Sequence, residues 1–206
     1  MTDTPKPKTP GTYSKCARWW PVLIAPAALV IWVLVAERFE QGEVKVFSEP
    51  ISPPLLALAA VIFAFRAWRT GNPLCAVLAG LAVAFTCREI HFKGTDVGIK
   101  VALGVLAVWT VLWRKRLIVA ARNIAHVRWV AAAALMYVLC RIVEKRAFSA
   151  EHLGIIPNED LIHVTLEEGL ELVAHLLLLL SAVMGGWKAA IRRGEANRPT
   201  PQSAPK

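Results

Sequence analysis

Long runs of residues that are apolar on every side constrain this chain most. Trp19 to Ala36 and Leu176 to Val183 hold no charged residue, and Ile51 to Trp68 and Val97 to Trp113 hold one each, Arg66 and Lys100. A soluble domain of 206 residues would show a polar face at helical or strand spacing in most of its elements. Helices that are apolar all round face lipid instead, and about 20 such residues cross a hydrocarbon core about 30 Å thick. With 56% of its residues in the apolar set, the chain is expected to be an all-α, polytopic transmembrane helical bundle, lodged in a lipid bilayer.

Six spans are expected, at about residues 19–36, 51–68, 73–90, 97–113, 127–143 and 164–187, within a membrane domain covering 19–188. Residues 1–18 are rich in Pro, Thr and Lys, and 189–206 are basic and Pro-containing. Both are too polar to bury a core and read as disordered tails. Pro21 and Pro26 predict bending early in the first span, and the polar stretch Glu37 to Glu49 reads as an acidic connector. Gly71-Asn72-Pro73 is a turn signal between the second and third spans. Leu117 to Arg128 is amphipathic, consistent with an interfacial helix. The first apolar run lacks a small-residue cleavage site and reads as a retained span rather than a signal peptide.

The formal charge of +9 does not indicate nucleic acid. About two thirds of the 24 Lys and Arg residues lie in the two tails and in the loops after the second and fourth spans; of the 15 acidic residues only Asp3 and Glu195 share that side. Positive flanks stay in the cytoplasm, so both termini are expected there, in a bacterial inner membrane, with the acidic side facing outward. Cys16, Cys75, Cys87 and Cys140 form no CxxC pair and no zinc spacing.

The sixth span is unusual. His163, Glu167, Glu171 and His175 recur at four-residue spacing and share one helix face, with Glu168 beside it. Counting up each helix at about 1.5 Å per residue puts Arg141, His175 and Lys100 about 20 Å above the cytoplasmic ends, and Glu37, Glu89, Glu144 and Glu171 about 24–26 Å above them. Ionisable groups at that depth belong in a bundle interior, where they pair with one another or form a functional site. The candidate cluster is Arg88, Glu89, His91, Arg141, Glu144, Glu167, Glu168, Glu171 and His175. As a structural network, Arg88 and Arg141 would neutralise the carboxylates. As a site, the cluster would bind or move a small polar or ionic ligand, or serve an accessory membrane subunit.

A metal-dependent hydrolase of a lipid or envelope substrate is the alternative. Glu171 and His175 are the candidate ligands on the sixth span, with His91 or Glu89 reaching in from the third, and zinc accepts both donor types. Against it, the layer as a whole is nearly charge-balanced, and no HExxH motif occurs. Nothing in the residues identifies a protein partner, although a membrane partner or homo-oligomer is compatible with the short third span.

Two patches, Arg88-Glu89-Ile90-His91-Phe92-Lys93 and Glu167-Glu168-Gly169-Leu170-Glu171, give the chain a resemblance to a loose group of bacterial six-helix membrane proteins of unassigned activity. The chain is also similar, more distantly, to alkaline-ceramidase-type membrane hydrolases, which implies a zinc site inside the bundle. It departs from those in having six spans rather than seven and in lacking their His-x-x-x-His on the last helix.

Overall fold

The computed structural model describes residues 17–39, 43–90, 95–122, 127–148, 153, 159–184 and 187. All regular structure among them is helical. A 3₁₀ segment, Ala17–Leu23, leads into α1 (Ile24–Val35), and a second, Ala36–Arg38, leaves it. There follow α2 (Glu43–Thr70), α3 (Pro73–Glu89), α4 (Thr95–Leu112), α5 (Arg114–Arg122), α6 (Val127–Glu144) and α7 (Glu159–Val183). Pro21 falls in the first 3₁₀ segment, where its missing N–H leaves the tighter turns intact.

The core is built from small residues that let helix backbones approach closely. Ala59 and Ala60 of α2, Ala79 and Ala82 of α3, Ala132 and Ala133 of α6 and Ala174 of α7 are all buried. Packing runs in sequence from α4 through α3 and α2 to α7 and α6, and α1 lies over α6 and α7. Outward faces are apolar: Val30, Ile31 and Leu34 on α1, Val61, Phe65 and Trp68 on α2, and Val101, Val105, Val108 and Leu112 on α4 are exposed. A surface of that kind suits lipid, not water.

Two helical stretches are long and apolar enough to cross a membrane, Trp19–Arg38 and Glu43–Thr70. A third forms if α4 and α5, bent by 80° at their junction, make up one broken span. The other helices fall short because of charge and length. Over its 17 residues α3 ends in Arg88 and Glu89, α6 carries Arg128, Arg141 and Glu144, and α7 carries Glu167, Glu168 and Glu171. These three bear the candidate cluster, and α6 and α7 supply much of the buried core.

Several boundaries differ from those expected. The connector before Ile51 is not a loop: α2 starts at Glu43 and runs through Pro50, Pro53 and Pro54. Val44, Ser48, Ser52, Leu56, Ala59 and Phe63 form one continuous buried stripe on it, and that tertiary burial outweighs the local cost of the prolines. Helix α7 begins at Glu159 and ends at Val183, short of Trp187, whose indole turns back to donate to the Ser181 carbonyl at 3.3 Å. The turn signal holds: Gly71 has φ of 61°, Pro73 opens α3, and the Asn72 side chain accepts from Leu74 N–H at 2.9 Å. The amphipathic stretch expected over 117–128 is only partly in α5, which runs from Arg114 to Arg122 with Leu117 and Ala120 buried and Arg114, Lys115 and Arg116 exposed; residues 127 and 128 belong to α6. His91, residues 1–16 (with Cys16), residues 189–206 and most of the loop before α7 lie outside the described residues, whereas Ala17 and Arg18, expected in the tail, begin the first 3₁₀ segment.

Candidate functional site

Helix α7 presents its ionisable residues in descending order along one side, each secured differently. His163 and Glu167 approach to 3.6 Å, an ion pair when the imidazole is protonated. Glu168 accepts a 2.7 Å hydrogen bond from the Ser48 hydroxyl, so the unexpectedly early start of α2 is what reaches it. Glu171 receives Arg88 of α3 at 2.7 Å, with the two side chains 13% and 28% exposed. His175, one turn deeper, is 1% exposed.

Around Glu171 the donors converge. One carboxylate oxygen each from Glu89 and Glu171 and one ring nitrogen of His175 all lie within 4.8 Å of one another. His175 Nδ1 is buried without a hydrogen-bond partner. The Tyr137 ring of α6 stands 5.8 Å from the imidazole and 4.6 Å from the Phe85 ring of α3, and its buried hydroxyl has no hydrogen-bond partner either. Close backbone packing joins α3 to α2 and α4, and α7 to α2 and α6, whereas α3 meets α6 and α7 mainly through these side chains. The cluster therefore fills a seam between helices that are not tightly packed on each other.

The expected layer contracts to three helices plus Ser48. Arg141 pairs with Glu144 one turn along its own helix, and both are more than one third exposed, so this pair fixes no helix against another. Glu144 still lies within electrostatic reach of Arg88 and Glu167. Lys100 on α4 and Glu37 are exposed, and Arg141 turns to Glu144 along its own helix. Arg88 faces Glu89 and Glu171, with Glu144, Glu167 and Glu168 close by. Of the residues considered as metal ligands, Glu89, Glu171 and His175 lie together, and His91 lies outside the described residues.

Two residues at the site are absent from the sequence-derived cluster. Tyr137 precedes Arg141 by four positions on α6, the spacing that places both on one face, and a phenol in an otherwise apolar segment is the signal that marks it. Ser48 carried no signal, because its stretch reads as a connector. Ser181 is structural, its fully buried hydroxyl donating to the Leu178 carbonyl at 2.7 Å. Cys75 and Cys140 are buried free thiols, and Cys87 is partly buried.

Seen as chemistry, two carboxylates and one imidazole make a cation-ligating set, and one guanidinium beside them orients a carboxylate. Comparison with protein-family models, with curated proteins and with solved structures gives no match for this chain.

Proposed function

We propose that this chain is an integral protein of a bacterial inner membrane, crossing it six times with both termini cytoplasmic, that binds or moves a small cation at the seam between α3 and α7. One observation carries this reading: Glu89, Glu171 and His175 converge beside Arg88 at a partly buried junction in which the His175 imidazole is fully enclosed. A purely structural network would leave no buried imidazole nitrogen unsatisfied, as His175 Nδ1 is here. The apolar outward faces of α1, α2 and α4 and the basic cytoplasmic flanks support the membrane placement. Non-enzymatic binding fits best. A metal-dependent hydrolase is the second reading, favoured by a three-donor set that would leave a coordination position open.

The test is a screen of bound and exchangeable cations, from Na⁺ to Zn²⁺, on detergent-purified protein beside Glu171→Gln. Stoichiometric binding by the wild type, weakened at least tenfold in a variant that stays monodisperse and helical, is the expected result. If the folded wild type binds no cation, and Glu171→Gln only lowers the melting midpoint, the cluster is a packing network and the proposal is wrong.

A further inference from the structure

Taking the seam as a cation site, we infer that its ligand is a divalent first-row transition metal of the zinc type, bound by Glu89, Glu171 and His175, and that binding this ion fastens α3 to α7. The inference deepens the cation reading and rests on it. Donor chemistry selects the ion class. Na⁺, Mg²⁺ and Ca²⁺ take oxygen ligands, whereas a neutral imidazole is a ligand for zinc and its neighbours. At 1% exposure, with Nδ1 lacking any hydrogen-bond partner, His175 is not a solvated surface histidine. It sits at i+4 from Glu171, so one face of α7 supplies two donors, and the last residue of α3 supplies the third.

The geometry needs only small adjustments. Donors at about 2.0–2.1 Å from a tetrahedral ion lie about 3.3 Å from one another. The three here lie within 4.8 Å, a gap that side-chain rotation closes without moving a helix. Arg88 donates to Oε1 of Glu171, so one oxygen is held by the guanidinium, which would keep a ligating carboxylate in orientation. Carboxylates at Glu167 and Glu168, close to Glu171, would help offset the added charge. Because α3 and α7 meet through side chains and not through close-packed backbones, an ion held by Glu89 on one and Glu171 and His175 on the other ties together two helices that are otherwise loosely joined.

The experiment is titration of the metal-stripped, detergent-solubilised full chain with Co²⁺, followed by its visible absorption, and with Zn²⁺ in competition. Circular dichroism and gel filtration report folding throughout. One Co²⁺ per chain, displaced by Zn²⁺, is expected, with binding weakened at least tenfold in His175→Ala and in Glu89→Gln and kept in Lys100→Gln, a change at an exposed position on α4. Zn²⁺ at about a hundredfold excess over its Kd should raise the wild-type melting midpoint by about 5–10 °C, and this needs no variant. Full-stoichiometry Zn²⁺ binding in a folded Glu89→Gln, His175→Ala double variant overturns the assignment. Binding of Ca²⁺, Mg²⁺ or Na⁺ that depends on Glu171 but not on His175 overturns the transition-metal inference and leaves the cation reading standing. No cation bound to the folded wild type, and no shift of its midpoint, overturns both.

Discussion

Gly169 gives the sharpest test of how α7 packs. A Cβ built there would lie 2.4 Å from Cε2 of Trp32, and 2.5 and 2.7 Å from Cδ2 and Cζ2 of the same ring, where ordinary contact begins at 3.4 Å. The indole of α1 would have to withdraw by about 1 Å, and as a rigid bicycle it moves only as a whole. Overpacking of this kind costs about 1–3 kcal/mol. Alanine regains up to about 1 kcal/mol through its better helix propensity. Gly169→Ala should therefore be destabilising by about 1–2 kcal/mol, a drop of about 2–8 °C in melting midpoint for a chain of this size. The sign should reverse when the ring is removed. In a Trp32→Leu background only the propensity remains, and Gly169→Ala should raise the midpoint by about 2–4 °C. Thermal unfolding of the four proteins in one detergent, followed by circular dichroism, measures both effects. If Gly169→Ala changes the midpoint by the same sign and amount in both backgrounds, Trp32 does not press on Gly169 and the α1–α7 packing described above is wrong.

Two further predictions concern the seam and the turn that leads into it. Arg88→Met strands the Glu171 carboxylate at 13% exposure; breaking a fully buried pair costs about 3–5 kcal/mol, and partial exposure of Arg88 reduces this to about 2 kcal/mol. The Arg88→Met, Glu171→Gln pair should recover most of that loss, and a double-mutant cycle with no coupling would refute the pairing. Asn72→Ala removes the hydrogen bond to Leu74 N–H at the start of α3 and should cost about 1 kcal/mol, with faster amide exchange at Leu74 as the local readout.

Much of the architecture is legible in the sequence, and what is not has physical causes. Apolar runs and Gly71-Asn72-Pro73 announce helices and their turns, because periodicity and left-handed backbone are local properties. The first turns of α2 are not announced. Pro50, Pro53 and Pro54 argue locally against a helix there, and only burial of Val44, Ser48 and Ser52 among other helices sustains it. At the site, the spacing of Glu171 and His175 is visible in the chain, and so is Glu89 as a candidate to join them. The partner of each charge is not visible. Arg141 and Arg88 look alike in sequence, yet one pairs along its own helix and the other reaches across to α7. Depth counting treats every helix as equally central. It therefore places Lys100 with the cluster, whereas α4 packs at the edge of the bundle and leaves that lysine exposed.

The early start of α2 has a consequence for how an ion would travel. At 28 residues the helix is about 42 Å long, some 12 Å more than a hydrocarbon core, so on the proposed membrane placement it tilts or emerges on the outer side. The end that emerges carries the exposed Lys45–Glu49 pair and, between them, Ser48 bonded to Glu168. On the proposed membrane placement Glu168 thus stands at the water boundary, and His175, seven residues further along α7, is about 10 Å deeper. A hydrated cation arriving at Glu168 would shed its water shell over that descent and take up carboxylate and then imidazole in its place. Ions that release water slowly, Mg²⁺ above all, would stall at the rim, so the seam would discriminate by the rate of dehydration before it discriminates by affinity.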